Sequence, residues 1–137
     1  MISPENVVAT MWAKDYFSQW LGLEILKVDI GYCKLQFKIR KEMLNGHGTV
    51  QGGVLFSAAD SAFAFACNAQ GKLTVALEVS INFTKPAFEN DLIIIEAQSL
   101  HHGYKTGVYD VKVYNEKSEL IAVFKGTCYT SSKNVIE

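Results

Sequence analysis

The clearest signal along the chain is an alternation. Between residues 72 and 85, Leu73, Val75, Leu77, Val79, Ile81 and Phe83 fall on every second position, with polar or small residues between them. A period of two puts these side chains on one face of a strand, and Pro86 stops it. Residues 32–40 repeat the pattern: Cys33, Leu35, Phe37 and Ile39 alternate with Lys34, Gln36, Lys38 and Arg40, giving one buried face and one wet face. Further strands are predicted over residues 23–30, joined to the last across Gly31, and over 92–102, 105–115 and 119–130. Asn115 to Ser118 supplies the turn between the last two. The polar tail, residues 131–137, is expected to fray.

A different period governs residues 45–68, NGHGTVQGGVLFSAADSAFAFACN. This run opens as a glycine-rich loop and then loses its turn residues. Residues 54–70 lack Pro and are rich in Ala, Leu and Phe, which predicts a helix ended by Gly71. It is apolar nearly all round, so protein is expected to wrap it. A second helix is predicted at the start, within residues 1–21. Ser3, Pro4 and Glu5 open it and Gly22 closes it after about four turns. Its apolar stripe is Val7, Met11, Tyr16, Trp20 and Leu21, and it is expected to pack on the rest as a lid. One long buried helix among five or six antiparallel strands makes an α+β layout in which the sheet curls round the helix.

The totals narrow the class. At 137 residues the chain is one domain, residues 1–137, with enough apolar content (49%) for one core. A net charge of −1 without a basic stripe removes the electrostatic footprint of a nucleic-acid binder. No apolar run reaches the length of a membrane span, and no signal-peptide pattern opens the chain, so a cytoplasmic protein is expected. Cys33, Cys67 and Cys128 have no metal or disulfide spacing and read as small buried hydrophobes. His47, His101 and His102 share no helix face with another ligand-type residue, so no metal site is expected.

Asp60 is the one charge inside the predicted central helix. Gly53, Ser57, Ala64 and Cys67 share its face, all of them small. Two readings of Asp60 stay open: a buried residue capping backbone groups, or a carboxylate held in a dry site with a raised pKa for proton transfer. The glycine loop feeds the helix N-terminus, where unpaired N–H groups and the positive dipole end suit an oxyanion. Gly53 and Asp60 lie roughly 10 Å apart along the axis, too far to act on one carbonyl within one chain. Antiparallel packing of two such helices about a two-fold axis near Phe56 and Ser57 brings Asp60 of one copy to Gly53 of the other. The small-residue stripe permits that contact. A homodimer with two shared sites is therefore predicted.

The pattern N-x-x-G-x-x-x-G-G-x-x-x-x-x-A-D, carried by Asn45, Gly48, Gly52, Gly53, Ala59 and Asp60, resembles the hotdog-fold thioesterases. MLNGHGTVQGG, ADSAFAFACNAQG, INFTKPAF and YKTGVYDVKVYN are similar, in that order, to segments of their phenylacetic-acid-degradation (PaaI-like) subfamily, from about Trp20 onward. The resemblance implies the hotdog fold, a long central helix wrapped by a curved antiparallel sheet. It implies that Asp60 is a general base on water or attacks directly to give a mixed anhydride. The Gly53 N–H polarises the thioester carbonyl. The Asn45 amide orients the water or the carboxylate, against ordinary turn chemistry as the other reading. Gln51 stands where many relatives carry His. It can donate a hydrogen bond but cannot take a proton, which leaves it an orienting role or none.

The resemblance also implies that the nucleotide arm of coenzyme A runs along Phe83, Thr84, Lys85 and Pro86 and the turn Gly103, Tyr104, Lys105 and Thr106. Lys85 and Lys105 are the phosphate candidates, with ordinary solvated lysines as the alternative. Coenzyme A is part of the substrate and no other cofactor is expected. Dimers that pair into homotetramers are implied as well. Phe56, Phe63 and Phe65 are the helix's aromatic supply, shared between core and acyl pocket. The reading is an acyl-CoA thioesterase acting on aryl-acetyl or medium-chain thioesters. The alternatives are a hydroxyacyl or enoyl thioester dehydratase or hydratase, whose chemistry wants a His paired with the acid, and a non-enzymatic acyl-CoA sensor.

Overall fold

The computed structural model describes residues 2–137. Two short helices come first, α1 (Pro4–Lys14) and α2 (Tyr16–Leu21), then the hairpin β1 (Glu24–Asp29) and β2 (Tyr32–Lys38). A 3-10 turn, Lys41–Met43, leads to the long helix α3 (Gly52–Asn68). Four strands complete the chain: β3 (Lys72–Phe83), β4 (Leu92–His102), β5 (Thr106–Asn115) and β6 (Leu120–Asn134). All six strands form one antiparallel sheet in the order β1-β2-β4-β5-β6-β3. The sheet curls round α3, which packs against every strand of it. This is the hotdog fold that the sequence motif implied.

Cys33, Leu35, Phe37 and Ile39, with Val79 and Ile81 of β3, build the inner face, whereas an irregularity between Ala76 and Glu78 leaves Leu73, Val75 and Leu77 outside it. Partners in register run from Cys33 on β2 through Ala97, Val111 and Phe124 to Ile81 on β3, one apolar row across five strands. A one-residue slip would turn every member of the row to the other face. Phe63 of α3 stands over this row, with its ring centroid 5.5 Å from Tyr109 and 5.9 Å from Phe124. A Cβ on Gly126 would come within 2.8 Å of the Phe63 ring, so a strand residue without a side chain makes the seat for that aromatic. Phe63 and Phe65 are fully buried, and Phe65 meets Trp12 of α1 at 6.3 Å. No helix among the described residues is long and apolar enough to cross a membrane.

Several expectations are corrected. The predicted N-terminal helix is two helices, broken at Asp15, which leaves helical geometry (φ −92°, ψ 75°). Its carboxylate accepts from the Ser18 N–H at 3.0 Å and the Ser18 hydroxyl at 2.6 Å, so a side chain outcompetes the continuing backbone and caps α2. The break rotates α2, leaving Tyr16 and Trp20 of the expected stripe exposed, while Val7, Val8 and Leu21 are buried. Helix α3 starts two residues earlier than expected and its last turn closes at Ala69; Gly71 (φ +106°) instead turns the chain into β3. The tail does not fray at residue 131. Strand β6 runs to Asn134, paired with Lys72, and Val135 donates to the Gly71 carbonyl.

Two further differences matter for function. Helix α3 is not wrapped all round: Gly53 is exposed and Ser57, Asp60, Ser61 and Ala64 are only half-buried. And β3, the most regular strand in the sequence, is the edge of the sheet. Its Leu73, Val75 and Leu77 are 41%, 53% and 61% exposed.

Candidate active site

The loop before α3 is closed by its own side chains. Leu44 and Val50 bridge across it. The Asn45 side-chain oxygen accepts from the His47 and Thr49 backbone N–H groups at 2.9 and 3.2 Å, and its amide donates to the Thr49 hydroxyl at 3.0 Å. Asn45 is thus an Asx-turn residue that shapes the loop, with one amide proton left over. Gly48 takes the left-handed conformation (φ +81°) that the turn demands. His47 is exposed, with its backbone tied to Asn45.

Gln51 is the N-cap of α3, and its side-chain oxygen accepts from the Gly53 N–H at 3.0 Å. The two glycines that follow differ. A Cβ on Gly52 would meet the tip of the exposed Phe83 ring at 2.9 Å, so a side chain there would push that ring aside. A Cβ on Gly53 would meet only the Gln51 oxygen, at 3.8 Å. Nothing in the chain's own packing requires a bare backbone at Gly53. Its openness faces outward, on the stripe that carries Asp60.

Asp60 has no hydrogen-bond or ion-pair partner among the described residues, and burial raises its carboxyl above the usual range. The capping reading therefore has no capped group to point to. Next to it, the Ser61 hydroxyl meets that of Ser18 at 2.8 Å, which fastens α2 beside the stripe. The exposed Phe17 and Trp20, 5.9 Å apart, belong to that helix. Cys67 is a poor nucleophile: the neighbouring Cys128 thiol, and then burial, push its thiol up and away from thiolate.

The carrier-binding candidates form two groups at opposite ends of α3. Phe83, Lys85 and Pro86 line a cleft of about 380 Å³ beside Gly52, at the helix N-terminus. Tyr104 and Lys105 line a second cavity of about 590 Å³ with Gln70 and Lys72, past the helix C-terminus. Thr106 is exposed next to it, its carbonyl accepting from the Gly103 N–H. Strand β3 joins the two ends and spans roughly 36 Å at a strand rise of about 3.3 Å per residue. One chain does not bring these groups together. The lysines differ too. Lys85 is ion-paired to Glu119, whose carboxyl that contact holds below its usual range, whereas Lys105 lies 5.4 and 5.7 Å from the Tyr104 and Tyr129 rings with no carboxylate partner among the described residues.

The second cavity holds a network that the sequence did not announce. The His102 ring meets the Tyr109 hydroxyl at 2.6 Å and the Thr130 hydroxyl at 3.1 Å. Burial pushes its pKa down, with His101 adding to the effect. Tyr109, fully buried, is pushed beyond the ordinary tyrosine range, mainly by burial. These residues sit 21 or more positions apart from Thr130 in sequence, and only strand register joins them. The Asp15 and Ser18 pair, by contrast, has N-cap spacing and was readable.

The family model described as the Thioesterase superfamily matches residues 47–122, the span from the glycine loop into β6. The chain belongs to the thioesterase superfamily. It is 40% identical over 116 residues to the acyl-coenzyme A thioesterase PaaI of Escherichia coli strain K12, covering 85% of this chain and 83% of that one. The solved structure of the E. coli PaaI protein from the phenylacetic acid degradation operon superposes with a TM-score of 0.94, at 36% identity, covering 96% of this chain and 95% of that one. A hypothetical thioesterase from Streptococcus pneumoniae, crystallised with coenzyme A, superposes at 0.79 with 27% identity over 82% of this chain and 88% of its own. The superfamily match and the full-length superposition make this an enzyme of the hotdog thioesterase type.

Proposed function

We propose that the protein hydrolyses acyl-CoA thioesters in sites built from two copies of the chain. The observation that carries this reading is Asp60: a half-buried carboxylate without a partner among the described residues, on the open small-residue face of α3, one helix stretch away from the exposed Gly53. In a head-to-tail pair of α3 helices the carboxylate of one copy faces the amide end of the other. The thioester oxygen accepts from Gly53 of that second copy. Asp60 takes a proton from water, the hydroxide adds to the carbonyl carbon, and the oxyanion forms against the helix N-terminus. Collapse breaks the C–S bond, and the coenzyme A thiolate leaves and is protonated. The alternative, attack by Asp60 itself, passes through a mixed anhydride that water then cleaves. The free Asn45 amide proton is the group that orients the water.

The free edge of β3 supports the two-fold. A long exposed edge strand with apolar residues is a pairing surface. Joining β3 to its copy antiparallel makes one continuous sheet and lays the two α3 stripes against each other. The same operation carries the Phe83, Lys85 and Pro86 cleft of one chain to the Lys105 cavity of the other, uniting the two carrier-binding groups. Lys105 is then the readier phosphate ligand. Lys85 can exchange Glu119 for phosphate at little cost, since an exposed ion pair adds little to stability. Phe17 and Trp20 offer aromatic surface beside the stripe for an aryl-acetyl or medium-chain acyl group; Phe63 and Phe65 are committed to the core.

The test is hydrolysis of a panel of acyl-CoA thioesters, followed by free thiol release, with kcat/KM compared across aryl-acetyl and straight-chain substrates. Release of coenzyme A from at least one class is expected. Binding without thiol release, or release of water from a 3-hydroxyacyl thioester, would contradict the reading. Label entering Asp60 in a single turnover in oxygen-18 water marks direct attack, with water cleaving the anhydride at the Asp60 carbonyl.

A further inference from the structure

We infer that Gln51 is a built-in, displaceable occupant of the Gly53 N–H, so that substrate binding at this site is an exchange of one carbonyl oxygen for another. The inference rests on the reading of Gly53 as the polarising donor. In the free chain that donor is not bare: the Gln51 side-chain oxygen accepts from it at 3.0 Å. This is an sp² amide oxygen at hydrogen-bond distance, the same kind of acceptor as the thioester carbonyl that must replace it. Among the described residues it is also the only atom that a Cβ on Gly53 would meet within 4 Å, chain neighbours and the helix's own backbone aside. The neighbouring Gly52 position is closed by the Phe83 ring instead. The acceptor that sits on the polarising N–H is therefore the Gln51 oxygen.

The residue type suits a cap that lets go. The favoured N-caps are Ser, Thr, Asp and Asn, whose short side chains hold the bond with little loss of rotamer freedom. Gln is longer, and here it is exposed, so holding it folded back costs side-chain entropy. The net worth of such a bond is small, and a substrate oxygen that makes an equal bond displaces it readily. Gln51 takes up no proton at any stage, so its removal leaves the pH profile where it was.

The experiment uses Gln51→Ala and Gln51→Met, the second keeping the bulk while removing the acceptor, on the full chain. Apparent affinity scales with the fraction of sites already open, so removing the competitor is expected to tighten binding by about fivefold, the weight of one modest hydrogen bond. Titration with a non-hydrolysable ketone analogue of the acyl-CoA measures this directly. In turnover, kcat/KM is expected to rise by the same factor, carried in KM rather than in kcat, with an unshifted pH profile. Amide exchange gives the structural readout. The Gly53 N–H of free Gln51→Met should exchange about tenfold faster than wild type and regain protection when the analogue binds. Weaker or unchanged analogue binding by both variants, or a shifted pH profile, would overturn the inference. Because analogue binding and amide exchange need no turnover, that failure is distinct from failure of wild type to release thiol, which would strike the hydrolase reading instead.

Discussion

Along α3, Leu55, Ala59, Ala62, Phe63 and Ala66 are sealed against the sheet, whereas Gly53, Ser57, Asp60 and Ala64 look outward. The two faces obey different rules. On the inner face size is matched to a seat: Phe63 fits because Gly126 has no side chain. On the outer face smallness serves no packing within the chain, as Gly53 shows, and a charge stands without a partner among the described residues. A helix can thus carry its folding instructions and its chemistry on opposite sides with little overlap. Substitutions on one face should then alter stability, and on the other activity.

The largest separation is expected for Asp60→Asn. Loss of the base should lower kcat by about 10³-fold or more, with coenzyme A binding kept, as measured by thiol release and by calorimetric titration. Ordinary turnover in this variant would remove Asp60 from the mechanism. On the inner face, Phe63→Ala should cost about 3–5 kcal/mol of stability through the cavity it leaves over Gly126, read by denaturant unfolding. If that variant lost its turnover while keeping full stability, the division between the faces would be wrong.

The smallest effect concerns Asp60 and pH. Burial raises its folded pKa, so the folded chain holds the proton more tightly than the unfolded chain does. Stability from this group is thus greatest below the unfolded pKa and is lost as pH rises through the folded value. At neutral pH the ionised carboxylate is a burden, and Asp60→Asn should melt slightly higher than wild type, a difference that shrinks in acid. Activity runs the other way: kcat should fall as pH drops through the raised pKa, above the usual carboxylate range. A lower melting temperature for Asp60→Asn at neutral pH would show that the carboxylate has a structural partner.

Much of this architecture could be read from the chain. The period of two placed β2 and β3, and the proline-free apolar run placed the central helix, because each follows from local spacing. What could not be read was order in space. The alternation of Leu73, Val75 and Leu77 is indistinguishable from that of a strand covered within its own chain, yet β3 is the exposed edge. Periodicity records that a face is to be buried and not by what. The same holds for His102, Tyr109 and Thr130, which only strand register brings together. Asp15 was missed for a local reason: its side chain ends one helix and begins the next, and a stripe drawn straight through it put Tyr16 and Trp20 on the wrong side. Of the proposed site, the small-residue stripe and the lone carboxylate Asp60 were readable from type and spacing. The bond from Gly53 to Gln51 needed coordinates.

The decisive measurement mixes two inactive variants. Asp60→Asn keeps Gly53, and Gly53→Val keeps Asp60 while blocking the approach to the N–H. Co-refolded in equal amounts, half of the dimers carry one chain of each kind. If each site takes its carboxylate from one copy and its amide from the other, every mixed dimer holds one intact site, and about one quarter of wild-type activity returns. If mass spectrometry shows mixed dimers and no activity returns, both groups belong to a site within one chain and the shared-site account fails.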